Sequence, residues 1–214
     1  MKIYHGSKIV LESPKEKGSN PNNDYGPSFY ATENYDDACI WACRNNTVGY
    51  VNGYSINIDG LNILDLTDKS KYSVLHWICL LLENRSLDHS FKKLHQNRIN
   101  KLIEKYHINL SEYDIVIGYR ADDAYFRFPK EFVIGNISLE VLEEVFRLGS
   151  LGKQFVVVSS KAIKRLHFKK ASLADPKFVG RYYEQVKEAT KLFDQILSES
   201  IDKKGDTRIG DLLK

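Results

Sequence analysis

Phe29-Tyr30-Ala31-Thr32-Glu33-Asn34-Tyr35-Asp36-Asp37-Ala38 is the stretch on which the fold turns. Aromatic and β-branched residues make Phe29 to Thr32 a short extended run. Thr32-Glu33-Asn34 then leads into Tyr35 to Arg44, where Ala38, Trp41 and Ala42 fall on one helical stripe. Just upstream, Gly26-Pro27-Ser28 supplies a turn that feeds the aromatic pair. The Tyr30 ring then has two readings open to it. It packs in a core, or it offers a flat face on which a heteroaromatic ring can stack.

Working towards the N-terminus, Lys2 to His5 reads as a short strand closed by a glycine turn in Tyr4-His5-Gly6-Ser7. Taken alone, that tetrapeptide is the plain end of a strand. Set before the Tyr30 segment, it gains a chemical meaning. His5 offers a directional hydrogen bond, Gly6 lets a ligand approach bare backbone, and Ser7 adds a hydroxyl. Between the two segments, Lys15 to Tyr25 is a Gly/Ser/Asn/Pro-rich polar loop of the kind that lies over sites.

Towards the C-terminus, Tyr54 to Ile58 alternates as a half-buried strand, and Leu61 to Leu66 gives a second after Asp59-Gly60. Tyr72 to Arg85 is a strongly apolar helix, in which His76 and Trp77 read as core, and Phe91 to Tyr106 is an amphipathic one. Tyr113 to Gly118 has a buried-strand pattern. Ser138 to Leu148 reads as a helix with Ser138 as N-cap and Gly149 as stop signal. Gln154 to Ser159 is a strand, and Ala162 to Phe168 suggests another. Pro176 precedes a helical run from Phe178 to about Ser198, and the last dozen residues are polar and read as frayed. The order of strands, helices and strands again favours an α+β fold over a regular parallel α/β sheet.

With 214 residues the chain is long enough for a substantial core, and 43% hydrophobic and 12% aromatic residues suit a folded soluble protein. A net charge of +3 does not by itself argue for nucleic acid. Lys161, Lys164, Arg165, Lys169, Lys170, Lys177 and Arg181 make one stretch locally positive, which is either a solvated face or a phosphate-binding one. The three cysteines complete no zinc pattern, so no metal is expected, and they read as buried thiols in a reducing cytoplasm. No secretory leader is recognised at the charged start, and Val74 to Leu82 is too short to span a bilayer.

His5-Gly6-Ser7 followed by Gly26-Pro27-Ser28-Phe29-Tyr30-Ala31-Thr32 resembles the ADP-ribosyltransferase superfamily, in particular the diphtheria-toxin and poly(ADP-ribose) polymerase branch with its His, Tyr and Glu positions. The chain is also similar to an uncharacterised bacterial family of that clan, through Tyr72 to Trp77 with Asn84-Arg85, through Tyr113 to Phe126, and through Leu151 to Val156. That resemblance covers about residues 1–170, with a helical insertion near 70–110, and leaves residues 171–214 as a helical extension. It implies a split, mostly antiparallel sheet gripping NAD as co-substrate. His5 would bond a ribose hydroxyl of the adenosine half, and the Gly6 backbone, beside Ser7, would hold the nicotinamide amide. Tyr30 would stack on the nicotinamide ring, with Tyr35 or Trp41 closing its other face.

The third position departs from the pattern, for Gln154 stands where the best-studied members carry glutamate. Breaking the nicotinamide–ribose bond builds positive charge on the sugar, which a carboxylate stabilises better than an amide. Gln154 can orient the 2′-hydroxyl but cannot act as a general base, so chain elongation is not expected. A second departure is Ser28, where relatives tend to have glycine. Arg120-Ala121-Asp122-Asp123-Ala124-Tyr125 is either a polar turn or the source of the absent carboxylate, with Asp123 as auxiliary acid. The resemblance therefore implies a cytoplasmic, toxin-like or defence mono-ADP-ribosyltransferase. Its acceptor would be protein or nucleic acid, and a small antitoxin-like protein its partner. A non-catalytic NAD or ADP-ribose binding module and an NAD glycohydrolase are the alternatives.

Overall fold

A computed structural model of the chain describes residues 1–121, 125–148, 152–200 and 206–213. Its strands are β1 (Lys2–Ser7), β2 (Phe29–Ala31), β3 (Tyr50–Ile56), β4 (Ile63–Asp65), β5 (Ile115–Tyr119), β6 (Lys153–Val157) and β7 (Leu166–Leu173). Its α-helices are α1 (Tyr35–Ala42), α2 (Val74–Asn84), α3 (His89–Tyr106), α4 (Arg127–Ile134), α5 (Leu139–Leu148), α6 (Ser160–Ile163), α7 (Arg181–Ser200) and α8 (Ile209–Leu212). The class is mixed α+β, as the order of patterns indicated.

Two sheets form. The first, in the order β1-β3-β7, is antiparallel throughout. The second, β2-β6-β5-β4, is antiparallel except where β4 runs parallel to β5. A backbone bridge joins them where Tyr4 and Thr32 exchange hydrogen bonds of 2.7 and 2.9 Å.

Alternation along the second sheet divides its side chains between two cores. Val116, Val156 and Tyr30 join the larger one, with Trp77 and Leu81 of α2, Phe132 of α4 and Leu142 of α5. Phe29, Ile115, Phe155 and Val157 point the other way, onto Ile3, Tyr54 and Ile56 of the first sheet. Cys39, Cys43 and Cys79 are all buried free thiols. Among the described residues no helix is long and apolar enough to cross a membrane.

Three expectations need correcting, and one helix was not foreseen. β3 starts at Tyr50 rather than Tyr54, because β1 pairs with it as far as Ser7 opposite Tyr50. Ala162 lies in α6, whose N-cap Ser159 accepts from the Ala162 amide, so the strand expected from Ala162 begins only at Leu166. Helix α4 escaped the sequence reading. Its Pro129 suggests a break, yet falls in the first turn, where no amide donor is needed. The end of the chain is not frayed over 206–213, because Ile209 is buried in the larger core and the Leu139 amide donates to the Thr207 carbonyl. The expected stop signal Gly149 lies outside the described residues.

Candidate functional site

The site begins where β1 runs under α1. A Cβ on Gly6 would lie 2.6 Å from the Ala42 amide nitrogen and closer still to the Ala38 carbonyl. Glycine is therefore required there for strand and helix to touch, whatever a ligand needs. The same approach brings His5 beside β2. Its Nδ1 lies 2.7 Å from the Tyr30 carbonyl oxygen, which only accepts, so Nδ1 carries the proton. Nε2 of the neutral ring is then an acceptor. Burial holds the His5 pKa below its ordinary value, against the Tyr30 carbonyl, which favours the charged form.

Tyr30 is fixed at both ends. Its backbone pairs with Val156 of β6, while its hydroxyl donates to the Gly26 carbonyl at 2.7 Å and accepts from the Tyr25 amide at 3.0 Å. Gly26 adopts φ 72°, the left-handed backbone that lets the chain double back beneath the ring. Burial pushes the Tyr30 phenol well above its usual range, so it stays protonated.

Gln154 lies on the same face of β6 as Val156, opposite Gly118 of β5. A side chain on Gly118 would collide with the Tyr25 hydroxyl, which donates to the Tyr119 carbonyl at 2.8 Å. That gap lets the Asp24-Tyr25 segment dock against the sheet. Asp24 is only 3% exposed. It accepts from the Arg85 guanidinium at 2.9 Å, from the Ala121 amide at 2.8 Å and, at a long 3.5 Å, from the Gln154 side-chain amide. Burial pushes its carboxyl up to about 6, against the Arg85 charge and the Ala121 hydrogen bond that pull it down. Gln154 is 6% exposed, and its Oε1 has no hydrogen-bond partner among the described residues.

These groups line one cleft of about 860 Å³, within the range of small-molecule sites. His5, Gly6, Tyr30, Trp41 and Gln154 all face it, together with Asp24. Five cations, Lys15, Arg44, Arg85, Arg120 and Lys130, also line it, so its walls favour an anionic ligand. Arg120 lies 4.9 Å over the Trp41 ring, and both Arg120 and Arg44 stand within 6 Å of the Tyr182 ring, at 5.9 and 5.8 Å. Trp41 Nε1 is buried and, like Gln154 Oε1, lacks a partner among the described residues.

Two residues expected at the site stand apart from its lining. Ser7 bonds the Ile9 carbonyl and the Asn52 side chain, which fixes the turn after β1. Tyr35 packs edge-on against Tyr4 and reaches Ser172, so of the two candidates for a second stacking ring only Trp41 faces the cleft. Asp123 lies outside the described residues, while Tyr125 beside it is buried in the larger core. Within the basic stretch, Lys161 pairs with Asp114, Lys177 with Asp175 and Arg181 with Glu184. Among the described residues no group of three or more His, Cys, Asp or Glu gathers as a metal site. Asp24, Arg85 and Tyr182 were not assigned a role from sequence. Asp24 sits in a polar loop without periodicity, and only its place directly before Tyr25-Gly26 marks it.

Residues 1–168 match the family described as "Protein of unknown function (DUF3990)". The chain belongs to that family. No curated protein and no solved structure matches it. The matched residues of this DUF3990 chain hold every cleft residue named above except Tyr182, which α7 contributes from beyond them.

Proposed function

We propose that this DUF3990 protein transfers a single ADP-ribose from NAD to a macromolecular acceptor, in a cleft held by an ADP-ribosyltransferase-like pair of sheets. The observation that carries the reading is that His5, Tyr30 and Gln154, the three positions of the resemblance, line one cleft with cationic walls. The cationic lining suits a diphosphate, and Tyr30 and Trp41 are among the rings that line the cleft and could meet a nicotinamide. The neutral His5 offers Nε2 to a ribose hydroxyl. The unmatched Trp41 Nε1 donor and Gln154 Oε1 acceptor are groups that a polar ligand would satisfy.

In the transfer, the bond from ribose C1′ to the nicotinamide nitrogen breaks and its electron pair leaves on nicotinamide. A nucleophilic atom of the acceptor bonds to C1′, and its proton passes to solvent. The neutral amide at 154 favours a second reading, NAD binding without turnover.

Incubation with NAD labelled in its adenylate half, in the presence of a cell lysate, tests the proposal. Labelled macromolecule together with free nicotinamide is the expected result. Nicotinamide released without labelled macromolecule makes water the acceptor, and bound but intact NAD makes the chain a binding module.

A further inference from the structure

Gln154 poses a question that the transfer reading leaves open, namely how the amide comes to present its oxygen rather than its nitrogen to a sugar. Its surroundings answer it. Gln154 is 6% exposed and lines the cleft, yet only its nitrogen is matched, towards Asp24 Oδ2 at 3.5 Å. Its oxygen has no partner among the described residues. Asp24 is held by three anchors. Arg85 grips Oδ1 at 2.9 Å, the Ala121 amide grips Oδ2 at 2.8 Å, and Tyr25 pins the neighbouring backbone through the Gly118 gap. A carboxylate that cannot turn presents an acceptor to the amide, so the amide must offer its nitrogen inwards and its oxygen to the cleft.

We propose that Asp24 is a positioning residue acting through Gln154: held by Arg85, its carboxylate keeps the amide nitrogen turned inwards, so that Oε1 receives a sugar hydroxyl of the bound dinucleotide. Asp24 and Gln154 together then present the acceptor oxygen that a single glutamate would. This rests on the NAD reading and deepens it.

The charged and titratable groups facing Asp24 are Arg85 and Arg120, which favour its carboxylate, and the Tyr25 and Tyr30 phenols, which stay neutral. Since its pKa stands at about 6, the carboxylate form needed here is present above that pH and lost below it. Turnover should accordingly fall on the acid side of pH 6.

The test compares wild-type protein, Asp24→Asn, and the exchange variant carrying Asp24→Asn with Gln154→Glu, measuring nicotinamide release from NAD between pH 5 and 8 and NAD affinity by calorimetry. Asp24→Asn is expected to lower kcat at least tenfold with KM changed less than threefold, and to keep only the acid limb that protonation of His5 gives. The exchange variant, which restores one acid and one amide, should recover most of the rate. Purely structural support by Asp24 would not be recovered by an acid placed at 154. If Asp24→Asn does not fold, the wild-type pH profile still decides. An inactive but folded exchange variant, or a wild-type rate flat from pH 5 to 8, overturns the inference. Cleavage of NAD by wild-type and Asp24→Asn at equal rates overturns it while leaving the NAD reading intact. Wild-type protein that neither binds nor cleaves NAD overturns both.

Discussion

At Gly6 the absence of one methyl group sets how closely β1 and α1 approach, and through that contact where His5 and Trp41 stand. The atoms a Cβ would meet are the Ala38 carbonyl and the Ala42 amide nitrogen, both backbone, so neither can swing aside. Gly6→Ala is therefore expected to lower stability by at least ~1–3 kcal/mol, the range for overpacking, read by urea unfolding. Stability equal to wild type would contradict the close packing. Short motifs marked His5, Gly6 and Tyr30 in the sequence, the resemblance marked Trp41 and Gln154, and all five line the cleft. Asp24 was not marked, although it is a buried acid of the cleft. An acid in a Gly/Ser/Asn/Pro-rich loop carries no periodic signal, and its burial depends on Arg85 and Ala121, both remote in sequence.

At the scale of elements, the short strand β2 and the turn before it depend on β5. Gly118 admits the Tyr25 hydroxyl, and the Tyr25 amide in turn bonds the Tyr30 hydroxyl. Gly118→Ala should displace Tyr25 and carry Asp24 with it, weakening NAD binding and, by the overpacking range, costing ~1–3 kcal/mol of stability. Calorimetric titration with NAD and denaturant unfolding check the two halves of that expectation. A variant unchanged in both would show that the loop docks independently of β5. Most elements were readable from period and caps, and Ser138 does cap α5, accepting from the Val141 amide at 3.2 Å. Helix α4 was missed because its Pro129 lies in the first turn, where proline is harmless, and the start of β3 because the pairing that sets it is non-local.

Across the whole molecule, the family match ends at residue 168 but the packing does not. Tyr182 of α7 closes a wall of the cleft against Arg44 and Arg120. Phe193 lies edge-on against Phe128 of α4 with ring centroids 4.9 Å apart, and Ala189 and Ile209 are buried in the same core. Phe193→Ala is expected to cost ~3–5 kcal/mol, as truncations of buried aromatic residues do, and to lower the Tm of the entire chain in a single transition. An unchanged main transition, with only α7 melting early, would show that the C-terminal segment is an independent appendage. Charge patterning made the basic run from Lys161 to Arg181 visible, but not that several of its members pair with nearby acids, while the cations of the cleft come from scattered positions. The most direct measurement of the central claim is a crystal structure of the chain with NAD bound. The account predicts the nicotinamide between Tyr30 and Trp41, a ribose hydroxyl on His5 and Gln154 Oε1 within hydrogen-bond distance of the sugar. A dinucleotide bound outside this cleft, or a cleft left empty at saturating NAD, would contradict it.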